Sequence, residues 1–383
     1  MIVLDKPYTS PELADYLEKT GHPVLRNAEG ERIAAKRTLN LLSAADAARR
    51  VNAGERLYTV SEHSLDWVLA NVHEENVGKG VRGMKNKHRL RETLHPLFPD
   101  YFFTEATYEE LVRTDPDKLP LPLVLKPVVG FFSVGVHVVN TAEDWKRAVT
   151  AITAGREAWR KDYPSEVVAN GRFILEEYIT GEEYALDAYY DESGRAVIVN
   201  VMKHDFASVK DVSDRLYYTG AGVIRSNLQR FRQFLDDVNS RLGLRNFPFH
   251  VELRVDGGRI APIEFTPLRF AGWCCTDLAW FAYGVRTYDH YLNNTAPNWD
   301  TLLADKEDDL FSLVILDKRP GVDNTKRFDY DAAGRTFTEV LSQRKIDAPD
   351  APLYGFLFTR TPKAKRSELE AIMRSNLSEY LIG

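Results

Sequence analysis

Cysteine is nearly absent. The 383 residues hold two, the adjacent Cys274 and Cys275, and sequence neighbours rarely bridge each other. No disulfide framework is available, and a reducing compartment is expected. Positive charge is not in excess either: 50 Lys and Arg stand against 56 Asp and Glu, a net charge of −6. That balance argues against a general binder of nucleic acid or of anionic membrane surfaces, which would need a basic face. No apolar run approaches the ~20 residues of a membrane helix. The opening MIVLDKPYTSPELADYLEKTG also lacks the basic-then-apolar layout of a signal peptide. There is no internal repeat, no low-complexity tract and no Walker-type phosphate loop, and His73-Glu74 has no second histidine four residues on. The expectation is a cytoplasmic protein that handles small molecules, with no nucleic-acid or membrane partner.

What is present suits folded cores: 44% hydrophobic and 28% charged residues. At roughly 150 residues per domain, the length suggests two to three domains or lobes. The first lobe reads as strand, turn, helix. Ile2-Val3-Leu4 is a short buried strand, and Ser10-Pro11-Glu12 starts a helix, with serine as cap and proline at its first position. Residues 57–60 form a second strand; Ser61 then caps a helix whose apolar face is Leu65, Val68 and Leu69. This alternation predicts a parallel α/β lobe over residues 1–85. Gly78-Lys79-Gly80-Val81-Arg82-Gly83 has the three-glycine spacing of a dinucleotide loop, but polar residues, not a strand, precede it. A flexible linker between lobes is expected there.

Further on, strands are expected at 123–125, 136–139 and 173–175, and a hairpin joins 184–190 to 196–202 through Asp191-Glu192-Ser193-Gly194. A helix over 227–242 stops at Gly243, and a second hairpin turns at Asp256-Gly257-Gly258. The tail offers strands at 311–316 and 354–358 and a helix from 367 to 380.

Three segments carry chemistry. In the first, Lys126 ends a strand and a turn with Gly130, Ser133 and Gly135 follows. Such a turn can aim N–H groups at phosphate oxygens while the lysine supplies charge. In the second, Glu176, Glu177, Ile179 and Glu183 gather where an apolar strand emerges. Carboxylates and carbonyls there can accept from an amine or from sugar hydroxyls. In the third, Glu252 and Glu264 lie on the two arms of the 256–258 hairpin, with Thr266 on the face of Glu264. Two glutamates side by side repel unless a cation lies between them, and oxygen ligands suit Mg²⁺.

In this order the three segments resemble the ATP-grasp superfamily, the fold of D-alanine–D-alanine ligase and biotin carboxylase, over roughly residues 85–275. The resemblance implies a parallel α/β domain (1–85), a central and lid subdomain (86–183), a C-terminal ATP-grasp subdomain with the metal site (184–295) and an α/β extension (296–383). It makes Lys87, Lys126 and Lys203 phosphate contacts, and Gly130, Ser133 and Gly135 part of the lid. Glu176, Glu177 and Ile179 become the hinge around adenine, and Glu183 the ribose carboxylate. Glu252, Glu264 and Thr266 become ligands of Mg²⁺, with Mn²⁺ as the alternative, and Lys126 and Arg269 serve the transferred phosphoryl group. Phe131 and Phe132 replace glycines usual in the lid, Thr266 replaces an asparagine, and Arg269 is displaced by one residue from the family's arginine.

The activity implied is ADP-forming ligation: ATP phosphorylates a carboxylate and an amine displaces phosphate. The substrates would be small molecules, amino-acid or peptide-like, and a homodimer is left open. A kinase using the same ATP site and a non-catalytic ATP-binding protein are the alternatives. Arg254, Arg269 and Arg286 are candidates to hold a substrate carboxylate. Trp273, Trp280, Phe281 and Tyr283 are expected in the core rather than in an apolar pocket.

Overall fold

The computed structural model describes residues 1–129, 135–162, 171–208, 213–318, 322–323, 326–346 and 351–382. Gly130 and Ser133 lie outside them. The chain begins with four short strands, β1 (Ile2–Val3), β2 (Pro23–Leu25), β3 (Asn40–Leu42) and β4 (Tyr58–Thr59), all parallel in the order β3-β2-β1-β4. Helices α1 (Pro11–Thr20), α2 (Ala28–Ala34) and α3 (Ala44–Asn52) connect them. The Ser10 hydroxyl accepts from the Leu13 N–H, Pro11 takes the first position, and Gly21 ends α1 in the left-handed region (φ 65°). After β4, α4 (Leu65–Asn71) buries Leu65 and Val68, but Leu69, expected beside them, is 42% exposed.

The three-glycine segment is not a linker. It is the interior of a helix, α5 (Glu75–Lys85), capped by the Glu74 carboxylate. Gly78 and Gly80 are buried, and a Cβ on Gly80 would stand 2.3 Å from the Phe247 ring. Gly80 thus trades helix propensity for close packing. One residue on, Asn86 caps α6 (Lys87–Leu94).

A four-stranded antiparallel sheet follows: β5 (Phe103–Thr107), β6 (Leu123–Pro127), β7 (His137–Val139) and β8 (Arg172–Glu177), in the order β5-β8-β6-β7. Helix α7 (Tyr108–Arg113) follows β5, and α8 (Ala142–Asp162) covers one face, where Leu123, Leu125, Phe173 and Leu175 meet Trp145, Ala148 and Ile152. Alternation puts Lys126 and Glu176 on the other face.

The largest sheet joins β9 (Glu182–Tyr190), β10 (Ala196–His204), β11 (Leu216–Thr219), β12 (Phe247–Asp256), β13 (Arg259–Pro267) and β14 (Asp309–Asp317). Beyond a ribbon strand β15 (Arg327–Phe328), β16 (Glu339–Lys345) and β17 (Leu353–Pro362) complete it in the order β13-β12-β9-β10-β11-β14-β17-β16. The last strand, β18 (Leu381–Ile382), pairs with β15. Helix α9 (Ala221–Leu242) lies on one face of this sheet, with Phe231 against Tyr184 at 5.2 Å between ring centres. The final helix spans Ser367–Arg374, shorter than expected, because Ser375 is extended (ψ 143°) and leads out of the helix. Among the described residues, no helix is long and apolar enough to cross a membrane.

Candidate active site

The face of the large sheet opposite α9 is polar. Cross-strand partners share a face, so register places Glu264, Glu252, Ala185 and Met202 in one row and Thr266, His250, Asp187 and Asn200 in the next. Arg254, Glu183 and His204 form a third row.

The meeting of Glu252 and Glu264 depends on a bulge. Through the turn the pairs run Asp256 with Arg259 to Leu253 with Pro262, and the register then shifts so that Glu252 opposes Glu264. Ile263 is the extra residue. Without the shift it would face Glu252, and Glu264 would turn to the other side. Pro262 has no N–H to donate and β13 is an edge strand, so both conditions suit an interruption here.

Arg91 grips that bulge. On α6 the buried stripe at helical spacing is Lys87, Leu90, Arg91 and Leu94, so two of its members are cations. Arg91 donates to the carbonyls of Pro262 (2.7 Å) and Ile263 (3.3 Å) and to the Glu176 carboxylate (2.7 Å). The other oxygen of Glu176 takes the Lys126 ammonium at 2.6 Å. Burial alone would raise the Glu176 carboxyl, but Arg91 and Lys126 prevail and hold it at about 2. Burial lowers the Lys126 ammonium despite this partner. Lys126 is therefore not the surface lysine that a strand end suggests: it is 5% exposed, and Glu176, expected to face adenine, is its counter-ion.

Lys87 is likewise buried, with its ammonium 3.0 Å from Glu264 and its N–H on the Val128 carbonyl. Burial would raise Glu264, but Lys87, then Lys85 and Lys126, pull it below the usual carboxylate range. Glu252 behaves in the opposite way. Burial and the charge of Glu183 push it up to about 8, and the His250 ring lies near it, Nε2 at 3.9 Å. About a third (34%) of its side chain still faces open space.

One carboxylate held ionised by lysines and a facing one short of positive charge make a donor set that a divalent cation would relieve. Thr266, 7% exposed, adds a hydroxyl on the same face. All donors are oxygen, which suits Mg²⁺ or Mn²⁺ rather than a softer metal. Among the described residues no group of three His, Cys, Asp or Glu forms a complete metal cage. An ion here would complete its shell from phosphates and water, as Mg²⁺ commonly does.

The remaining expected residues fall in different places. Glu183 accepts from His204 (2.8 Å) and Arg254 (3.0 Å), which hold it below the usual range against burial. Glu177 pairs with Arg259 at 2.6 Å, and the Ile179 carbonyl accepts from Arg254 at 2.7 Å. Gly135 lies in the left-handed region (φ 74°) just before β7. Lys203 is not brought to the site. It pairs across strands with Tyr184, on the α9 side, and its ammonium meets Glu182; His204 is the residue on the face of Glu183. Arg269 lies at the far end of β13, with its guanidinium 2.9 Å from Glu62. Arg286 stacks on Trp280 at 3.9 Å, while Tyr283 is core and Trp273 and Phe281 pack half-buried against it.

Sequence reasoning missed Arg91, Glu62, Lys85 and the His250–Asp187 pair (2.7 Å). Two signals were available. Arg91 is a charge on the apolar stripe of a helix, and Glu62 follows a parallel strand at its carboxyl end, where open α/β sheets bind ligands.

Residues 119–277 match the model of the ATP-grasp domain family. A search of curated protein sequences returned no match. Among solved structures, the chain is similar to an L-amino acid ligase from Bacillus licheniformis: TM-score 0.71 and 18% identity, covering 100% of this chain and 97% of that one. A carboxyaminoimidazole ribonucleotide synthase from Aspergillus clavatus, solved with ATP, gives TM-score 0.64 and 14% identity over 100% and 98% of the two chains. A biotin carboxylase from Campylobacter jejuni gives 0.63 and 11% over 100% and 91%. At these identities the likeness establishes the fold.

Proposed function

We propose that the protein is an ADP-forming ligase joining a carboxylate to an amine, with amino-acid or peptide-like substrates; residues 119–277 match the ATP-grasp domain model, and the chain over its length is similar in fold to an L-amino acid ligase, which supports the reading. The observation that carries this reading is the Glu252–Glu264 pair flanked by Lys87 and Lys126. An acid pair wanting a cation, beside two buried ammonium groups, is an arrangement for polyphosphate. The L-amino acid ligase among the similar folds favours amino acids as the substrate class.

A carboxylate is a poor electrophile, and transfer of the terminal phosphoryl group of ATP supplies a leaving group that the amine then displaces. In this reading Lys87 and Lys126 lie against phosphate oxygens. Lys126 serves there as a dehydrated charge, because burial has removed most of its water. Glu252, Glu264 and Thr266 would hold Mg²⁺, which supplies charge compensation to the phosphates when bound. Arg269 steadies the transferred group, and Glu183 keeps lone pairs for a sugar hydroxyl beyond those used by His204 and Arg254.

The test is incubation with Mg·ATP and pairs of L-amino acids, with nucleotides separated and products weighed. ADP, phosphate and a condensed product are expected. Stoichiometric AMP and pyrophosphate overturn the ligase mechanism. ADP formed with a phosphorylated amino acid and no condensed product marks a kinase, and binding of ATP without ADP marks a non-catalytic protein.

A further inference from the structure

Glu62 stands at the carboxyl end of β4, on the first turn after the parallel sheet. In the order β3-β2-β1-β4, the chain's direction of winding reverses between β1 and β4. The crevice outside that reversal is where open parallel sheets meet ligands. Here the crevice is closed by the end of β13: the Thr59 N–H and hydroxyl both donate to the Leu268 carbonyl, at 2.8 and 3.3 Å.

Into this junction Glu62 reaches with both carboxylate oxygens. One takes the Arg269 guanidinium at 2.9 Å, and the other takes the Lys85 ammonium. All three side chains are nearly enclosed, at 14% exposure for Arg269, 16% for Glu62 and 15% for Lys85. Arg269 is further fixed by donating to the Phe270 carbonyl at 2.8 Å. Lys85 stands two residues before Lys87, whose ammonium binds Glu264. The first lobe thus places one carboxylate between two cations: Lys85, whose charge acts on Glu264, and Arg269, just beyond the end of the strand that carries Glu264.

We infer that Glu62 is a positioning residue for phosphoryl transfer, holding Arg269 in the orientation in which it meets the transferred group, so that the first lobe completes a site otherwise built by residues after 85. The inference rests on the ligase reading above and on the role that reading gives Arg269. Arg269 gives one N–H to the Glu62 carboxylate and one to the Phe270 carbonyl, and a guanidinium carries five such donors, so its fork can meet an anion while Glu62 fixes its plane. A mere clasp between lobes would serve stability alone.

The experiment uses the full chain, Mg·ATP and an equimolar mixture of the twenty common L-amino acids, with ADP release followed. Glu62→Gln keeps the shape and removes the charge. It should lower kcat by about tenfold or more, while leaving the KM for ATP within about twofold. Glu62→Asp should recover part of the rate. In Arg269→Gln, adding Glu62→Gln should produce no further loss, because the glutamate acts through the arginine. If the two losses multiply, or if Glu62→Gln lowers only the melting temperature, Glu62 is a structural clasp and the inference is overturned. If the wild-type chain releases no ADP, the ligase reading over amino acids fails first and takes this one with it.

Discussion

Glu252 is a carboxyl that its surroundings prefer protonated, and this has a measurable sign. Its folded value, raised from 4.5 to about 8 by burial and by Glu183, favours the fold fully below 4.5 and loses that contribution as pH rises toward 8. Metal-free Glu252→Gln protein should therefore melt higher than wild type at pH 8, by on the order of 2 °C, with the gap closing at pH 5. Differential scanning calorimetry with chelator present checks it, and equal melting at both pH values would refute it. Glu176 has the opposite sign. Held at about 2 against 4.5 by Arg91 and Lys126, it stabilises above 4.5 and loses that effect as pH falls toward 2. Glu176→Gln leaves two buried cations short of an anion, and should cost about 3–5 kcal/mol at pH 7 in urea titrations. The deficit should shrink progressively below pH 4.5.

Among elements, α5 and the β12–β13 hairpin divide what the sequence reveals from what it conceals. The glycine spacing at 78–83 suggests a loop, yet the segment is helical, and Gly80 is glycine there because the Phe247 ring of β12 leaves no room for a side chain. Gly80→Ala should destabilise by roughly 1–3 kcal/mol through overpacking against Phe247, although alanine is the better helix former. Gly78→Ala meets only the mobile end of Arg82, and should be neutral or slightly stabilising. Equal effects at the two sites, by chemical denaturation, would mean that propensity rather than contact decides. The strands carrying Lys126, Glu183, Glu252 and Glu264 were legible because apolar runs, turn residues and charges coincide there. Alternation alone could not assign the face of Lys203, nor show that Glu264 would meet Glu252, because neither a pairing register nor a bulge is written in one strand's pattern. Arg91 was hidden for another reason: its three partners lie 85 or more residues away.

For the molecule as a whole, the residues after 296 are not an appendage. Strands β14, β17 and β16 extend the same sheet beyond β11, and Arg344 of β16 reaches back to Asp277 (2.6 Å) and to Glu12 of α1 (2.8 Å). A chain ending at residue 295 would bare β11 as an edge and expose the apolar cluster around Leu216, Tyr218 and Val223. It should be recovered aggregated or bound to chaperone. A soluble monomer with native-like far-UV circular dichroism would show that the first 295 residues fold alone.

The bulge at Ile263 also behaves as a counting device. Between Leu253 and Glu252 there is no spare residue, whereas between Pro262 and Glu264 there is one. Deleting Ile263 should therefore leave the same side chains facing one another, since proline and glutamate would then alternate without interruption. What disappears is the Ile263 carbonyl that Arg91 holds, and with it the bulge that presents two consecutive carbonyls to Arg91. This one-codon deletion separates two things that every point mutation confounds, the meeting of the acids and the link between the two sheets. If the deleted protein folds but needs more Mg²⁺ for half-maximal ADP formation, the grip of Arg91 matters beyond the facing of the glutamates. An unchanged requirement would mean that any hairpin of correct parity can serve.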